Sequence, residues 1–445
     1  MFSEFINQII ELFYYMLLFF CIFILLKVIT KIRDNFENET FPNQVHAQSL
    51  FNGNFNEFKS NPEGSLLKWS ELGEICSIRF FHKRIIVLNS YDKVQSFFCG
   101  QNGAIVCDRT SSYFTSLVSK GYKGILFRHN GKDLEVLRRI IGEFFNPHKN
   151  KKIFEEEIIL KANTLLTDIK NRLEYNQMAN SNLVIHDLKT EYERFMVDLV
   201  SPILFGKSIN FERFRSTILK GILFNLRNVT MFNVITMLPI WHFLPSSLFN
   251  KVLKNTRSLH NFIKDLVEEY KIEWAERMKN REDLEIYKPS DLINCMLFER
   301  YKDKTGKTIN DDDDIIVSVS TIFNSFFDSV TGMLAWITYY MAKNPNAQQK
   351  CREEIESILG QSQPSFLNKQ NFKYINACTK ESLRCANLVP IVLHVSSKDC
   401  FIENYFIPKD TPVIFFILFA NSLYLLFLIS GYSQYLLNSH ESKHF

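Results

Sequence analysis

Glu381 and Arg384 stand three residues apart in the stretch NACTKESLRCANLVP (376–390), a spacing that puts both on one face of a helix. A pair of this kind is either a solvated contact worth a few tenths of a kcal/mol or part of a buried ion network. The same spacing recurs at Glu135/Arg138, Glu191/Arg194 and Glu212/Arg215, so spacing alone selects none of them. Nine cysteines, at 21, 76, 99, 107, 295, 351, 378, 385 and 400, include no C-x-x-C. That excludes a zinc ribbon or a thioredoxin-like site. An odd number without framework spacing suggests reduced thiols in a chain facing the cytosol. The histidines form no H-E-x-x-H motif, and His440 and His444 share i,i+4 spacing only in a polar tail. No metal site is expected from these residues alone.

The elements that would position such residues can be read from the hydrophobic pattern. Apolar residues make up 46% of the 445 and charged residues 22%, which allows a buried core and argues against disorder. The net charge of +4 comes from interspersed acids and bases, so no nucleic-acid surface is expected. Residues 12–26 (LFYYMLLFFCIFILL) are apolar without interruption, preceded by Glu4 and Glu11 and followed by Lys27, Lys31 and Arg33. The charge order predicts an uncleaved N-terminal membrane anchor over 1–33 with the remaining chain in the cytosol. Residues 34–65, rich in Asn, Gly and Pro, read as a linker. EICSIRFF (74–81) and KRIIVLN (83–89) read as a hairpin or sheet corner. From about 91 to 390 the pattern is helical, with breaks expected at Asn146-Pro147, Ser201-Pro202, Leu238-Pro239, Leu244-Pro245 and Lys288-Pro289.

One helix is longer than the rest. After Asp311–Asp314, an apolar stretch of about thirty residues runs without proline to Asn344-Pro345. The aspartates suit a helix N-terminus, and the near-continuous apolar surface predicts a helix through the middle of the fold. Asp328, beside Ser325 and Ser329, lies at its centre. A mid-bilayer acid is costly, which favours a core helix over a membrane span.

The order of these features, an N-terminal anchor, a long helix with a central acid, AKNPNAQQKCREEIESILG (342–360), then Glu-x-x-Arg, resembles the microsomal cytochrome P450 family. GYKGILFRHNGKDLEVLRRIIGEFF (121–145), KPSDLINCML (288–297) and YFIPKDTPVIF (405–415) extend the resemblance over about residues 66–415. It implies a mainly α fold with small β-sheets over 66–416, followed by a divergent tail at 417–445. It also implies a haem-thiolate monooxygenase of the endoplasmic reticulum membrane. Such an enzyme inserts one oxygen atom into a lipophilic small molecule with electrons from an NADPH-dependent reductase. By the resemblance, Asp328 and Ser329 match the acid and hydroxyl that deliver protons. Arg138 and His394 match cations that pair with the haem propionates, although a satisfied strand histidine is an equal reading of His394. Glu381 and Arg384 match a buried network behind the haem, the other three pairs remaining on the surface. Phe323, Phe326 and Phe327 would line the substrate pocket.

Three departures are expected to matter. Ser325-Phe326 replaces the family's Ala-Gly, so a phenyl ring should crowd the oxygen-binding face, and Leu134 replaces a tryptophan. No cysteine follows Cys400, so the family's loop Phe-x-x-Gly-x-x-x-Cys-x-Gly, source of the iron's thiolate, is missing from these 445 residues. The expectation is a chain truncated before that loop and unable to bind haem through a thiolate. The alternative is a haem-less membrane-bound pseudoenzyme that binds lipophiles or partners.

Overall fold

A computed structural model describes residues 12–27, 41–49, 52–81, 83–99, 105–106, 108–109, 113–146, 149–178, 188–228, 247–279, 287–302, 309, 311–389 and 391–416. The chain divides into two units, one drawn from residues up to 107 together with 391–416, the other from 108–390. Breaks at 238–239 and 244–245 and the tail at 417–445 lie outside the described residues.

In the first unit, helix α1 (Leu12–Lys27) is apolar and exposed over its described residues. Residues 52–65, read as linker, fold instead. Helix α2 (Phe55–Ser60) buries Phe55 and Phe58, and α3 (Pro62–Ser70) buries Leu66 and Trp69. Asn and Pro there punctuate helices: the Asn61 side chain accepts the Gly64 N–H at 3.0 Å, and Pro62 opens α3. Strands β1 (Ile75–Phe80) and β2 (Lys83–Leu88) form the expected hairpin, with Phe80 opposite Lys83. After helix α4 (Tyr91–Cys99) the chain returns to this unit as β3 (Ile391–Val395), β4 (Cys400–Ile402), β5 (Tyr405–Ile407) and β6 (Pro412–Phe416). Strand β6 inserts between β2, in parallel, and β3, antiparallel, giving the order β1-β2-β6-β3, while β4 and β5 pair separately. Ile85–Leu88 and Val413–Phe415 are inaccessible to solvent, the continuous apolar pattern of strands covered on both faces.

The second unit is helical: α5 (Tyr113–Val118), α6 (Gly124–Phe127), α7 (Lys132–Phe144), α8 (Lys151–Met178), α9 (Leu188–Phe205), α10 (Phe211–Phe214), α11 (Lys220–Asn228), α12 (Ser247–Lys279), α13 (Leu292–Lys302), α14 (Asp312–Lys343), α15 (Pro345–Leu359) and α16 (Lys373–Ala386). Its core joins α7, α9, α12, α13 and the first two thirds of α14. Ser201-Pro202 does not break α9, which runs on to Phe205. Proline removes one backbone donor, and the packing of Ile203, Leu204 and Phe205 in the core outweighs that loss near the helix end.

Helix α14 begins and ends where its caps predict. The Asp311 side chain accepts the Asp313 N–H at 2.9 Å, and Pro345 starts the next helix. It is not buried all round: Trp336 and Tyr339 in its last third are 40% and 44% exposed. The four aspartates share no basic partner, and Asp312 takes two. Asp311 meets Lys123 at 2.9 Å, Asp312 meets Arg300 and Lys271, Asp313 meets Lys120, and buried Asp314 meets Arg128. Burial alone would raise Asp311 and Asp312, but these cations hold both below the ordinary carboxylate range. The run therefore caps α14 and also ties it to α6, α12 and α13.

Candidate active site

Helix α14 sets the geometry around Asp328. At about 100° per residue, Asn324, Ser325, Thr331 and Gly332 fall within roughly 60° of Asp328, making one polar or small face. Asp328 is exposed, Ser329 half-buried, and Asp328 has no ion-pair partner among the described residues. Thr331 is 2% exposed, and its hydroxyl, like the buried Oδ1 of Asn324, has no hydrogen-bond partner among the described residues. These two were missed at the sequence level. The signal was there, since they stand four before and three after the central acid.

The aromatic residues point elsewhere. Phe323 and Phe326 lie roughly 140–160° round the helix from Asp328, and Phe327 about 100°. Phe323 is inaccessible and packs against Phe205 and Phe214, each at 5.5 Å between centroids, with Phe327 stacked on it. Phe326 packs against Phe145 at 5.5 Å. These rings pack in the helical core, and Phe326 lies on the side of α14 away from Asp328.

Glu381 and Arg384 are paired in α16, with Arg384 donating to both carboxylate oxygens at 2.8 and 2.6 Å. Their side chains are 60% and 48% exposed, so the expected buried network is corrected to a solvent-facing pair. Arg384 holds the Glu381 carboxyl below its ordinary range. The reverse correction applies to Glu191. It is 4% exposed and pairs with Arg172, not with Arg194, which reaches across to Glu212 at 2.7 Å. Helix packing decides these partners, and packing brings residues nineteen or eighteen apart together in preference to residues three apart.

Arg138 is half-buried on α7, beside buried Leu134 and Leu137. His394, in the first unit, is buried on β3 opposite Val413, its ring edge-on to Phe415 at 5.6 Å.

The haem that the resemblance implies needs a thiolate held low by backbone N–H groups or cations. Every described cysteine sits on a helix or strand. Burial pushes the thiols of Cys76 and Cys351 up to about 11 and that of Cys295 up to about 12. It raises those of Cys385 and Cys400 as well. Among the described residues, then, the donor set does not fit a thiolate-ligated iron.

The comparisons with known proteins match this architecture. The family model for cytochrome P450 covers residues 48–421. The chain is 24% identical over 352 residues to cytochrome P450 2U1 of Rattus norvegicus, covering 77% of this chain and 62% of the rat protein. It is 22% identical over 350 residues to the steroid 17-alpha-hydroxylase/17,20 lyase of Squalus acanthias, covering 77% and 65%. It is 23% identical over 358 residues to the phenylalanine N-monooxygenase of Arabidopsis thaliana, covering 77% and 64%. The chain thus spans less than two thirds of the length of these relatives. With the mainly α fold, the small sheets and the long acid-bearing helix in place, the chain belongs to the cytochrome P450 family.

Proposed function

We propose that this chain derives from a monooxygenase that inserts one oxygen atom of O2 into a lipophilic small molecule, using electrons from an NADPH-dependent reductase. We further propose that the 445-residue polypeptide does not itself carry out the reaction. Family membership supports the first part, as do the names of the shark hydroxylase and the Arabidopsis monooxygenase. The observation that carries the second is the placement of the cysteines: each described one lies on a helix or strand, and those with a displaced thiol pKa are raised. Asp328 and Ser329 remain the candidate proton-handling residues, and Arg138 and His394 the candidate partners of an anionic cofactor group. The apolar helix α1, with Lys27, Lys31 and Arg33 at its end, supports a single N-terminal anchor in the endoplasmic reticulum membrane.

The test is spectroscopic. The 445-residue chain is expressed with a haem precursor, purified in detergent, reduced and exposed to carbon monoxide. The expected result is no thiolate-type band. A thiolate-type band of stoichiometric intensity would overturn the proposal. A transcript read through codons 410–445 locates the cause: a reading frame containing Phe-x-x-Gly-x-x-x-Cys-x-Gly after about Phe416 would assign the activity to that longer product.

A further inference from the structure

Helices α15 and α16 run against each other, and a single side chain fixes their register. Glu354 of α15 accepts the Tyr374 N–H at 2.8 Å and the Ile375 N–H at 2.9 Å, capping the first turn of α16. Lys350 lies over the Tyr374 ring at 5.8 Å. One turn back along α15 from Glu354 stands Cys351, and one turn forward along α16 from Tyr374 stands Cys378. With α15 held to the first turn of α16 through Glu354 and Lys350, helical periodicity places Cys351 and Cys378 on the faces that the two helices turn to each other. Both are part-exposed, so a small molecule can reach them. Neither thiol has a role in the site around Asp328.

We propose that Cys351 and Cys378 form a reversible disulfide that locks α15 to α16, with a low-molecular-weight disulfide such as oxidised glutathione as the oxidant. The thiolate of one cysteine attacks the oxidant's S–S bond and expels one small thiolate. The thiolate of the second then attacks the protein sulfur of the mixed disulfide and expels the other. Two protein thiols and one small disulfide give one protein disulfide and two small thiols. Two electrons pass from the protein sulfurs to the oxidant, and the two thiol protons end on the released thiols. The lock closes one turn before Glu381, on the helix that carries the Glu381–Arg384 pair. In a reducing cytosol such a bond is a transient sensor. Burial, and next Cys378 itself, hold Cys351 as a thiol, so the exchange is slow at neutral pH and quickens with alkalinity.

The test uses the full 445-residue chain in detergent, equilibrated across ratios of oxidised to reduced glutathione, quenched with an alkylating agent and mapped by mass spectrometry. The expected result is one intramolecular peptide linking Cys351 to Cys378, forming at least tenfold faster at pH 9 than at pH 7. It should be lost in Cys351→Ser and Cys378→Ser and retained in Cys385→Ser. Only mixed disulfides at the most oxidising ratio, in chain whose circular dichroism is unchanged, would overturn the proposal. So would a link from either cysteine to a different one. Mapping of the unsubstituted chain decides the matter even if a serine variant fails to fold.

Discussion

Asp314 and Glu381 are both carboxylates paired with arginine, and burial separates their worth. Asp314 is 6% exposed, binds Arg128 and accepts the Gly124 N–H at 3.0 Å. Asp314→Ala leaves a largely buried guanidinium with only the exposed Asp133 as its acid and strands a buried N–H, so we expect a loss of about 2–4 kcal/mol. Glu381→Ala opens a solvated pair and should cost under about 1 kcal/mol. Urea titrations of the two variants test the contrast, and equal losses would contradict it. A third carboxylate carries a pH dependence. Asp291, fully buried ahead of α13, accepts the Asn294 N–H at 2.9 Å and the Tyr270 hydroxyl at 3.1 Å, yet burial pushes its pKa up to about 6. A folded-state value above the unfolded one means the folded chain holds the proton more tightly. The contribution is therefore full below about pH 4 and is lost as pH rises toward 6, by on the order of 3 kcal/mol. The stability difference between wild type and Asp291→Asn should fall across that window; a flat difference would sink the assignment. The sequence shows which carboxylates have an arginine three residues away, but not which are desolvated. That depends on partners many positions distant, and is why Glu381 and Glu191 exchange the environments expected of them.

At the scale of elements, α14 was legible because its signals are local: an acidic start, an apolar run and a terminal Asn-Pro. Its docking was not. Helix α6 has only four residues, too few for a periodic signal, yet it seats on the start of α14 through two hydrogen bonds and a left-handed glycine. The Gly124 N–H meets Asp314, the Ile125 N–H meets the Ser318 hydroxyl at 3.1 Å, and Gly124 itself adopts φ +76°. A Cβ at Gly124 would lie 2.9 Å from the Ser318 backbone nitrogen and 2.7 Å from Val317 Cγ1. Gly124→Ala combines left-handed strain with overpacking, so we expect about 2–4 kcal/mol of destabilisation. Denaturant unfolding measures it, and a loss under about 1 kcal/mol would mean that α6 shifts freely on α14. Residues 52–65 fail for the opposite reason. Their Asn, Gly and Pro suggested a linker, whereas Asn61 and Pro62 mark a helix start and Phe55 and Phe58 fill the space under β1.

At the scale of the whole molecule, the first unit is assembled from two stretches of chain, and its sheet depends on the later one. Ile86, Val87 and Leu88 pair with Val413, Ile414 and Phe415, more than three hundred residues on. The same strand, β6, pairs on its other side with β3. No local pattern announces such a pairing; the apolar run at 412–416 suggested a strand, but its place between β2 and β3 comes only from the completed fold. Closing so long a loop is entropically costly and slow, and the return comes only when both ladders form. A central strand with two partners cannot spare a donor, and proline is excluded from such positions. Ile414, fully buried between Val87 and Leu393, is the most demanding site in it. Ile414→Pro should cost at least about 3 kcal/mol, by analogy with the loss of a backbone bond in a helix interior. The readout is local: amide hydrogen exchange across β2 and β3 should speed markedly, while the β1–β2 hairpin retains whatever protection its own ladder supplies. If exchange in β3 were unchanged, β6 would not be the strand that holds this sheet together. The unit would then have to owe its order to the hairpin and to the aromatic packing of α2 and α3 beneath it.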